Sequence, residues 1–189
     1  MWAWGDNQAS GLGFSGTNYG TRSIQKTPRK IDSLKQYASQ IKYISGGSGW
    51  GQALLNDGRV IGWGLRAALG QGVTSTSGSS AHTNGSVIQV TSNVTQMHSR
   101  YKGTIALTPN NKVLTWGHGT SYPTIYGASV TERVSPSGTI VEVGGGREFV
   151  YYYRTIPGRI FGAGYGAYRQ LHLSNSVNQN WPGVQIHLP

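Results

Sequence analysis

Residues 41–64 read IKYISGGSGWGQALLNDGRVIGWG and contain apolar segments of strand length that are separated by turn signals. Gly46 and Gly47 mark the first turn. Asn56-Asp57-Gly58 predicts a tight hairpin, because an Asp-Gly pair tolerates the positive φ angles of a type I′ turn. The strand that follows ends at Trp63-Gly64. The stretch therefore predicts two short antiparallel strands, and it decides the fold because the chain repeats it.

The end of this stretch recurs along the chain. NNKVLTWG at 110–117 matches DGRVIGWG at 57–64 with a constant offset of 53. GRIFGAG at 158–164 matches at an offset of 100, with Ala163 in the tryptophan's place, and MWAWG at 1–5 matches at an offset of 59. A period of roughly 40–50 residues or more is typical of propellers and other repeat arrays. The positions to which this repeat assigns a structural role are Trp4, Gly5, Gly46, Gly47, Asp57, Gly58, Trp63, Gly64, Trp116, Gly117, Gly145, Gly146, Gly158 and Gly164.

The pattern resembles the repeat of the regulator of chromosome condensation family, WGxNxxGQLG … GGxHSLALTxDGxVxxWG. Residues 4–7 (WGDN) and 56–60 (NDGRV) carry the resemblance best. The sequence departs from the family where the histidine after the glycine pair is replaced by Trp50, Gly103 and Phe149. The resemblance implies a β-propeller of four-stranded blades. Short strands, glycine turns and the lack of a long amphipathic helical pattern agree with an all-β fold.

We therefore predict one domain over residues 1–189, built from units at 4–62, 63–115 and 116–162 and a partial unit at 163–189. Repeat units bury their faces against neighbours, and terminal units need polar caps that the sequence lacks. This predicts a partial propeller that is completed by other chains, by a second copy or by further polypeptide, and not an isolated monomer. Trp4, Trp63 and Trp116 are expected at equivalent, largely buried sites.

Composition narrows the class of protein. The chain has 29 glycines among 189 residues and no cysteine, which fits a turn-dense β fold and excludes a disulfide framework. No apolar run approaches the roughly 18 residues of a membrane span, so the sequence predicts a soluble protein. Charged residues make up 12% of the chain. Such a polar, weakly charged composition is typical of extracellular or virion-surface proteins, although the location itself stays open.

The formal net charge is +10, which favours anionic partners. Part of the excess is local, because six cations between residues 22 and 42 are opposed by Asp32 alone. They form either a solvated connecting loop or a surface that binds an anion or a partner. Acidic proteins, anionic glycans and nucleic acid all fit this charge. The candidate residues are Arg22, Lys26, Arg29, Lys30, Lys35 and Lys42.

The sequence offers little for catalysis. GLGFSG at 11–16 matches the dinucleotide fingerprint GxGxxG, but no helix pattern follows to hold a pyrophosphate, so we assign it to the repeat's own turn. The five histidines do not have the sequence spacing of metal ligands, and the six acidic residues show no arrangement that indicates a pair for general acid–base catalysis. We therefore expect no enzyme, no cofactor and no metal.

The function that these observations favour is a non-catalytic binding or structural module that binds a protein or a glycan, as a surface or virion-type attachment or assembly component. The family resemblance implies two alternatives. One is guanine-nucleotide exchange on a small GTPase together with chromatin contact. The other is enzyme inhibition, by covering an active site. A run of three tyrosines at 151–153 is expected to alternate between a packed and an exposed face, since successive strand residues point to opposite sides.

Overall fold

The computed structural model describes residues 1–77, 82–118, 127–134, 138–146, 150–156, 158–166, 168, 171 and 179–187. The described residues form 14 β-strands and two short 3₁₀ helices, at Asp32–Tyr37 and Arg66–Ala68. The strands are β1 (Trp2–Asp6), β2 (Ile24–Lys30), β3 (Ile41–Gly47), β4 (Trp50–Leu55), β5 (Val60–Gly64), β6 (Ile88–Thr91), β7 (Gln96–Arg100), β8 (Gly103–Leu107), β9 (Val113–Gly117), β10 (Thr131–Arg133), β11 (Ile140–Gly146), β12 (Val150–Thr155), β13 (Ile160–Gly164) and β14 (Gln179–Ile186).

The strands that the structure describes make four antiparallel sheets. β1 and β2 form a two-stranded sheet, here called the half-blade. The other three sheets have four strands each: blade 1 is β3–β6, blade 2 is β7–β10 and blade 3 is β11–β14. The first strand of blade 2, β7, contacts the first strands of both neighbouring blades, β3 and β11. This arrangement confirms the predicted all-β fold of propeller-type blades.

The blades do not begin where the sequence units begin. Each of the three four-stranded blades starts at the strand of the glycine pair, or at its counterpart β7, and ends with the strand after the next tryptophan strand or, in blade 3, its counterpart β13. The sequence placed 163–189 in a partial fourth unit, whereas β14 pairs with β13 and supplies the last strand of blade 3. By its match to β5, β1 corresponds to the third strand of a blade and β2 to the fourth. The assignment of 1–189 to one domain stays a prediction.

The β4–β5 hairpin confirms the predicted turn but not its type. Gly58 has a φ of 84°, and Asp57 is not among the residues with positive φ, so a type I′ turn, which needs two, is excluded. The amide of Leu55 donates to the carbonyl of Arg59 at 2.8 Å, which encloses a three-residue loop. Asn111, with a φ of 59°, takes the place of Gly58 in blade 2. A single residue in the left-handed backbone conformation at the end of the loop is therefore enough to close the hairpin.

Each blade has a leading face, toward the preceding blade in the chain, and a trailing face, toward the following one. Alternation along the strands separates the two sets of side chains. Among the described residues, three of the apolar cores lie between neighbouring sheets. The first lies between the half-blade and blade 1 and contains Ile31, Leu34, Ala53, Leu55, Ile61 and Trp63. The second, between blades 1 and 2, contains Leu54, Val60, Met97, Ala106, Leu114 and Trp116. The third, between blades 2 and 3, contains Ile105, Leu107, Val113, Ile140, Val143, Tyr151, Tyr153, Phe161 and Ala163.

Blade 3 lacks the repeat tryptophan, but its leading face still carries a large buried side chain at a neighbouring position. In blade 1, Trp63 lies opposite Gly51 on the neighbouring strand, and a Cβ added to Gly51 would come within 2.5 Å of the indole. In blade 3, Ala163 lies opposite Tyr151, which is 1% exposed. The large side chain has therefore moved from the third strand to the second. Cross-strand neighbours on one face share the same space, which permits this exchange.

Candidate functional site

The three repeat tryptophans do not share one environment. Trp63 and Trp116 are 4% and 0% exposed, as predicted. Trp4 is 62% exposed, so the prediction that it is buried is wrong. Like Trp63 and Trp116, Trp4 belongs to the leading face, but the described part of the chain contains no blade before the half-blade. Its neighbour on that face, Trp2, is 61% exposed for the same reason.

The predicted glycine positions have local backbone roles. Gly5, Gly64, Gly117 and Gly164 follow the tryptophan strands, and all have positive φ, from 92° to 154°. A side chain at any of these positions is strained, because L residues rarely adopt this conformation. Gly46 and Gly47 lie at the end of β3, and Gly145 and Gly146 lie at the end of β11. These positions are consistent with the structural role that the repeat predicts for the glycines, and the importance of the glycines for function stays a prediction.

The predicted cationic cluster is distributed over two surfaces. Lys26, Arg29 and Lys30 lie on β2, where every residue from 26 to 30 is exposed. Arg22 precedes this strand, and Lys35 is exposed on the following 3₁₀ helix. We call these five residues the β2 basic surface. Ile31 and Leu34, which lie beneath it in the first core, are 2% and 1% exposed and anchor this segment.

Few acids neutralise the β2 basic surface. Arg22 lies 3.9 Å from the carboxylate of Asp6, an exposed pair of little energetic weight. Arg29 places its guanidinium carbon 4.3 Å from the centre of the Phe14 ring, a cation–π contact that leaves its charge uncompensated. Among the described residues, Lys26, Lys30 and Lys35 form no ion pair. This surface therefore carries a concentrated positive charge.

Lys42 lies elsewhere. It is on β3, and its Nζ donates to the carbonyl of Thr95 in the next blade at 3.4 Å. Its side chain lines a cavity of about 360 Å³ between the first strands of the three blades, together with Tyr43, His98 and Glu142. The cavity thus combines one cation, one acid and one exposed aromatic ring. The structure does not bring Lys42 into the β2 basic surface.

Two histidines of blade 2 lie beside cations that the sequence did not identify as candidate site residues. Burial lowers the pKa of His98 below its ordinary value of 6.5, and the charge of Arg100 lowers it further. Burial likewise lowers the pKa of His118, with a second contribution from Lys102. Arg100 and Lys102 flank Tyr101, which has a φ of 43° and whose carbonyl accepts the indole N–H of Trp50 at 3.0 Å. The signal in the sequence was the spacing of His98 and Arg100, which places both on one side of β7.

The tyrosine run behaves as expected. Tyr151 and Tyr153 are each 1% exposed in the third core, while Tyr152 is half-buried on the trailing face. Burial raises the pKa of Tyr153 to about 12. Its hydroxyl donates to the carbonyl of Pro182 at 3.0 Å, which ties β12 to β14. Two of the three rings are therefore structural.

The GxGxxG segment is a loop of the repeat. Asn7 is 3% exposed, and its side chain donates to the carbonyls of Phe14 and Ser15 and accepts the amide of Leu12 at 3.0 Å. The described residues after this segment, through residue 23, contain no helix. A pyrophosphate site of the dinucleotide type needs a helix N-terminus at this point. The asparagine of the WGxN motif therefore organises this loop.

The described ranges contain no group of three or more histidine, cysteine or acidic residues that is arranged to hold a metal ion. No helix among the described residues has the length and apolarity needed to cross a membrane.

The fold is similar to those of several solved structures. Human WBSCR16 matches with a TM-score of 0.71 and 17% identity, over 94% of this chain and 46% of that chain. Prp20p from Saccharomyces cerevisiae matches with a TM-score of 0.69 and 20% identity, over 92% of this chain and 43% of that chain. Yeast RCC1 (Prp20) bound to Kap60 matches with a TM-score of 0.67 and 17% identity, over 99% of this chain and 44% of that chain.

The sequence matches no protein-family model and no curated protein. At these identities the likeness establishes the fold alone, and it confirms the fold that the sequence resemblance implied. The chain spans less than half the length of the solved structures that it matches.

Proposed function

We propose that this chain, which has the RCC1-like propeller fold, is a non-catalytic module that binds an acidic protein partner through the β2 basic surface. The observation that carries the proposal is the exposed strand β2, whose three cations have no acidic partner among the described residues. Unpaired exposed cations attract an acidic surface over a distance of about one Debye length, roughly 8–10 Å at physiological salt.

The similar structures support a protein partner. Prp20p is described by its binding to Gsp1p and histones, and yeast RCC1 is described in a complex with Kap60. Propellers are scaffolds on which unrelated binding sites are built, so the fold suits the proposal without fixing the partner. The sequence-based suggestions of glycan binding, of a virion or surface role, of nucleotide exchange and of enzyme inhibition have no comparable structural observation behind them.

The test compares binding by wild type and by a variant in which Lys26, Arg29, Lys30 and Lys35 are replaced by glutamine. Polyglutamate serves as the acidic polypeptide, with heparin and duplex DNA as competing chemistries. We expect the variant to fold normally, because all four side chains are exposed, and to bind polyglutamate at least about tenfold more weakly, a loss of about 1.4 kcal/mol.

A charge-matched control separates this surface from the net charge. Replacing Arg100, Lys102, Lys112 and Arg159 with glutamine removes the same number of charges from other parts of the molecule. We expect this control to bind nearly as wild type does. Equal losses in the two variants would contradict a local site. A preference for DNA with a steep salt dependence, or for heparin alone, would replace the protein partner by nucleic acid or glycan.

A further inference from the structure

The cavity beside Lys42 lies where the first strands of the three blades begin. Its volume is about 360 Å³, within the range of roughly 300–1,000 Å³ that is typical of small-molecule sites. Each blade contributes to its wall, blade 1 through Lys42 and Tyr43, blade 2 through residues 95–98 and blade 3 through Glu142. The cavity is therefore built by several blades together, from residues outside the β2 basic surface.

One position of the repeat faces this cavity with different chemistry in each blade. Tyr43, Gln96 and Glu142 are equivalent, because each pairs with the corresponding residue of its second strand. They bring a phenol, an amide and a carboxylate to the same cavity. The packing of the blades fixes the next position along each first strand as apolar, but it does not determine the chemistry of the cavity wall. These apolar residues are Ile44, Met97 and Val143.

One positive charge remains at the cavity after its ion pair is taken into account. The carboxylate of Glu142 accepts the Nε–H of Arg154 at 3.0 Å, so these two charges compensate each other. Burial lowers the pKa of His98, which keeps that ring neutral near neutral pH. Among the described residues, Lys42 forms no ion pair. The net charge of the lining is therefore positive and is carried by a single ammonium group.

The ammonium group of Lys42 has unused donors. It donates to the carbonyl of Thr95 at 3.4 Å, a long contact that occupies one of its three N–H groups. Gln96 makes the corresponding contact between blades 2 and 3, where its amide donates to the carbonyl of Val141 at 3.0 Å. An amide is thus sufficient for this contact between blades. The charge of Lys42 and its other two N–H groups can serve an anion in the cavity.

The remaining lining favours a planar apolar group. The ring of Tyr43 is 43% exposed at the cavity, and Leu54 and Met97, which are 2% and 5% exposed, form an apolar wall. A tyrosine ring stacks on another aromatic ring, and a methionine sulfur makes favourable contacts with ring edges. An aromatic ring beside the ammonium of Lys42 would therefore be held on two sides.

We propose that this cavity binds a small aromatic carboxylate, with the carboxylate on the ammonium of Lys42 and the ring against Tyr43. A single ammonium group matches a monoanion, and the apolar wall favours an aryl acid over an inorganic anion. The site shares no residue with the β2 basic surface. Failure of this proposal therefore leaves the acidic protein partner standing, and the reverse also holds.

The test is isothermal titration calorimetry of the 189-residue chain with cinnamate. Cinnamamide is the neutral ligand of the same shape, and cinnamylammonium is the cationic one. We expect cinnamate to bind with a dissociation constant of about 0.1–1 mM, as is typical for a small ligand held by one ion pair and one ring contact. Cinnamamide and cinnamylammonium should bind at least about fivefold more weakly, because neither offers a negative charge to Lys42.

Two substitutions assign the two parts of the ligand. Lys42→Gln should weaken cinnamate binding at least about fivefold and leave cinnamamide binding unchanged, because only the acid uses the charge. Tyr43→Ser should weaken both ligands by a similar factor, because both carry the ring. Both side chains are exposed, so the thermal midpoint should not change. Lys112→Gln is the matched control, since it removes the same charge from the β8–β9 hairpin, and it should bind cinnamate as wild type does.

Several results would overturn the proposal. One is the absence of cinnamate binding to wild type up to about 10 mM, well above the expected dissociation constant. Others are equal affinities for cinnamate and cinnamamide, a preference for cinnamylammonium, or equal losses in Lys42→Gln and Lys112→Gln. The glutamine variant of the β2 basic surface should bind cinnamate normally. Loss of cinnamate binding in that variant would show an effect of net charge and would also overturn a local site.

Discussion

Trp63 and Trp4 occupy equivalent positions in two units of the repeat, yet the side chain of Trp63 is buried and that of Trp4 is exposed to solvent. Both precede a glycine with positive φ, and both lie on the leading face of their sheet. Trp63 contacts the loop of the unit before it, whereas the described chain provides no such unit for Trp4. The difference shows that the repeat specifies the strand and the direction of the side chain, while burial depends on a neighbouring blade.

The trailing faces of blades 1 and 3 also differ in chemistry. Leu54 of blade 1 corresponds to Arg154 of blade 3 at the offset of 100, and Leu54 is buried while Arg154 is exposed in an ion pair with Glu142 at 3.0 Å. A trailing face with a salt bridge is more polar than the cores between blades.

The largest expected effect separates Trp63 from Trp4. Trp63→Ala should lower the free energy of unfolding by about 3–5 kcal/mol, because it removes a buried indole and leaves a cavity in the first core. Trp4→Ala should change it by no more than about 0.5 kcal/mol, as for an exposed side chain. Urea denaturation of the dilute chain measures both values. A large loss at Trp4 would show that its face is already covered in the monomer.

A smaller effect tests the exchange of volume between blades 1 and 3. Ala163→Trp should destabilise the chain by about 1–3 kcal/mol, because Tyr151 already fills the space opposite it. Adding Tyr151→Gly recreates the pair found at Trp63 and Gly51 and should recover at least about 1 kcal/mol through coupling between the two sites. A double-mutant cycle by chemical denaturation gives this coupling. Strict additivity of the two single changes would mean that the exchange is coincidental.

The sequence predicted the fold well where its signals are local. The Asp57-Gly58 turn and the Trp-Gly strand ends are short-range features, and their spacing was enough to indicate blades. It misplaced β14, because the segment with Pro182, Val184 and Ile186 was assigned to a partial fourth unit, whereas it pairs with β13 in blade 3. β14 pairs with β13 alone in the described sheet, and an edge strand tolerates a proline because its outer N–H groups need no partner.

The candidate site was predictable only in part. Consecutive exposed cations on β2 are visible in the sequence, but the separate position of Lys42 depends on the packing of β3 against β7. The exposure of Trp4 likewise depends on which blades surround it. Such long-range relations come from the arrangement of the sheets, which no local pattern records.

The smallest expected effect concerns pH and contrasts buried with exposed histidines. The pKa values of His98 and His118 are lowered by burial and by the nearby cations Arg100 and Lys102, so the unfolded chain binds protons more readily than the folded one. Their contribution to stability is therefore present above the ordinary pKa of 6.5 and is lost as the pH falls below it. We expect the thermal midpoint to fall between about pH 7 and pH 5, near the ordinary range of histidine.

Replacing His98 and His118 together by glutamine should flatten this part of the pH profile, because neither state then takes up a proton at these positions. His187→Gln is the matched control, since that ring is exposed at the end of the last described segment and has no comparable burial. An unchanged slope in the double variant would show that the two rings are as well solvated in the folded chain as in the unfolded one. Their partial burial would then not persist in solution.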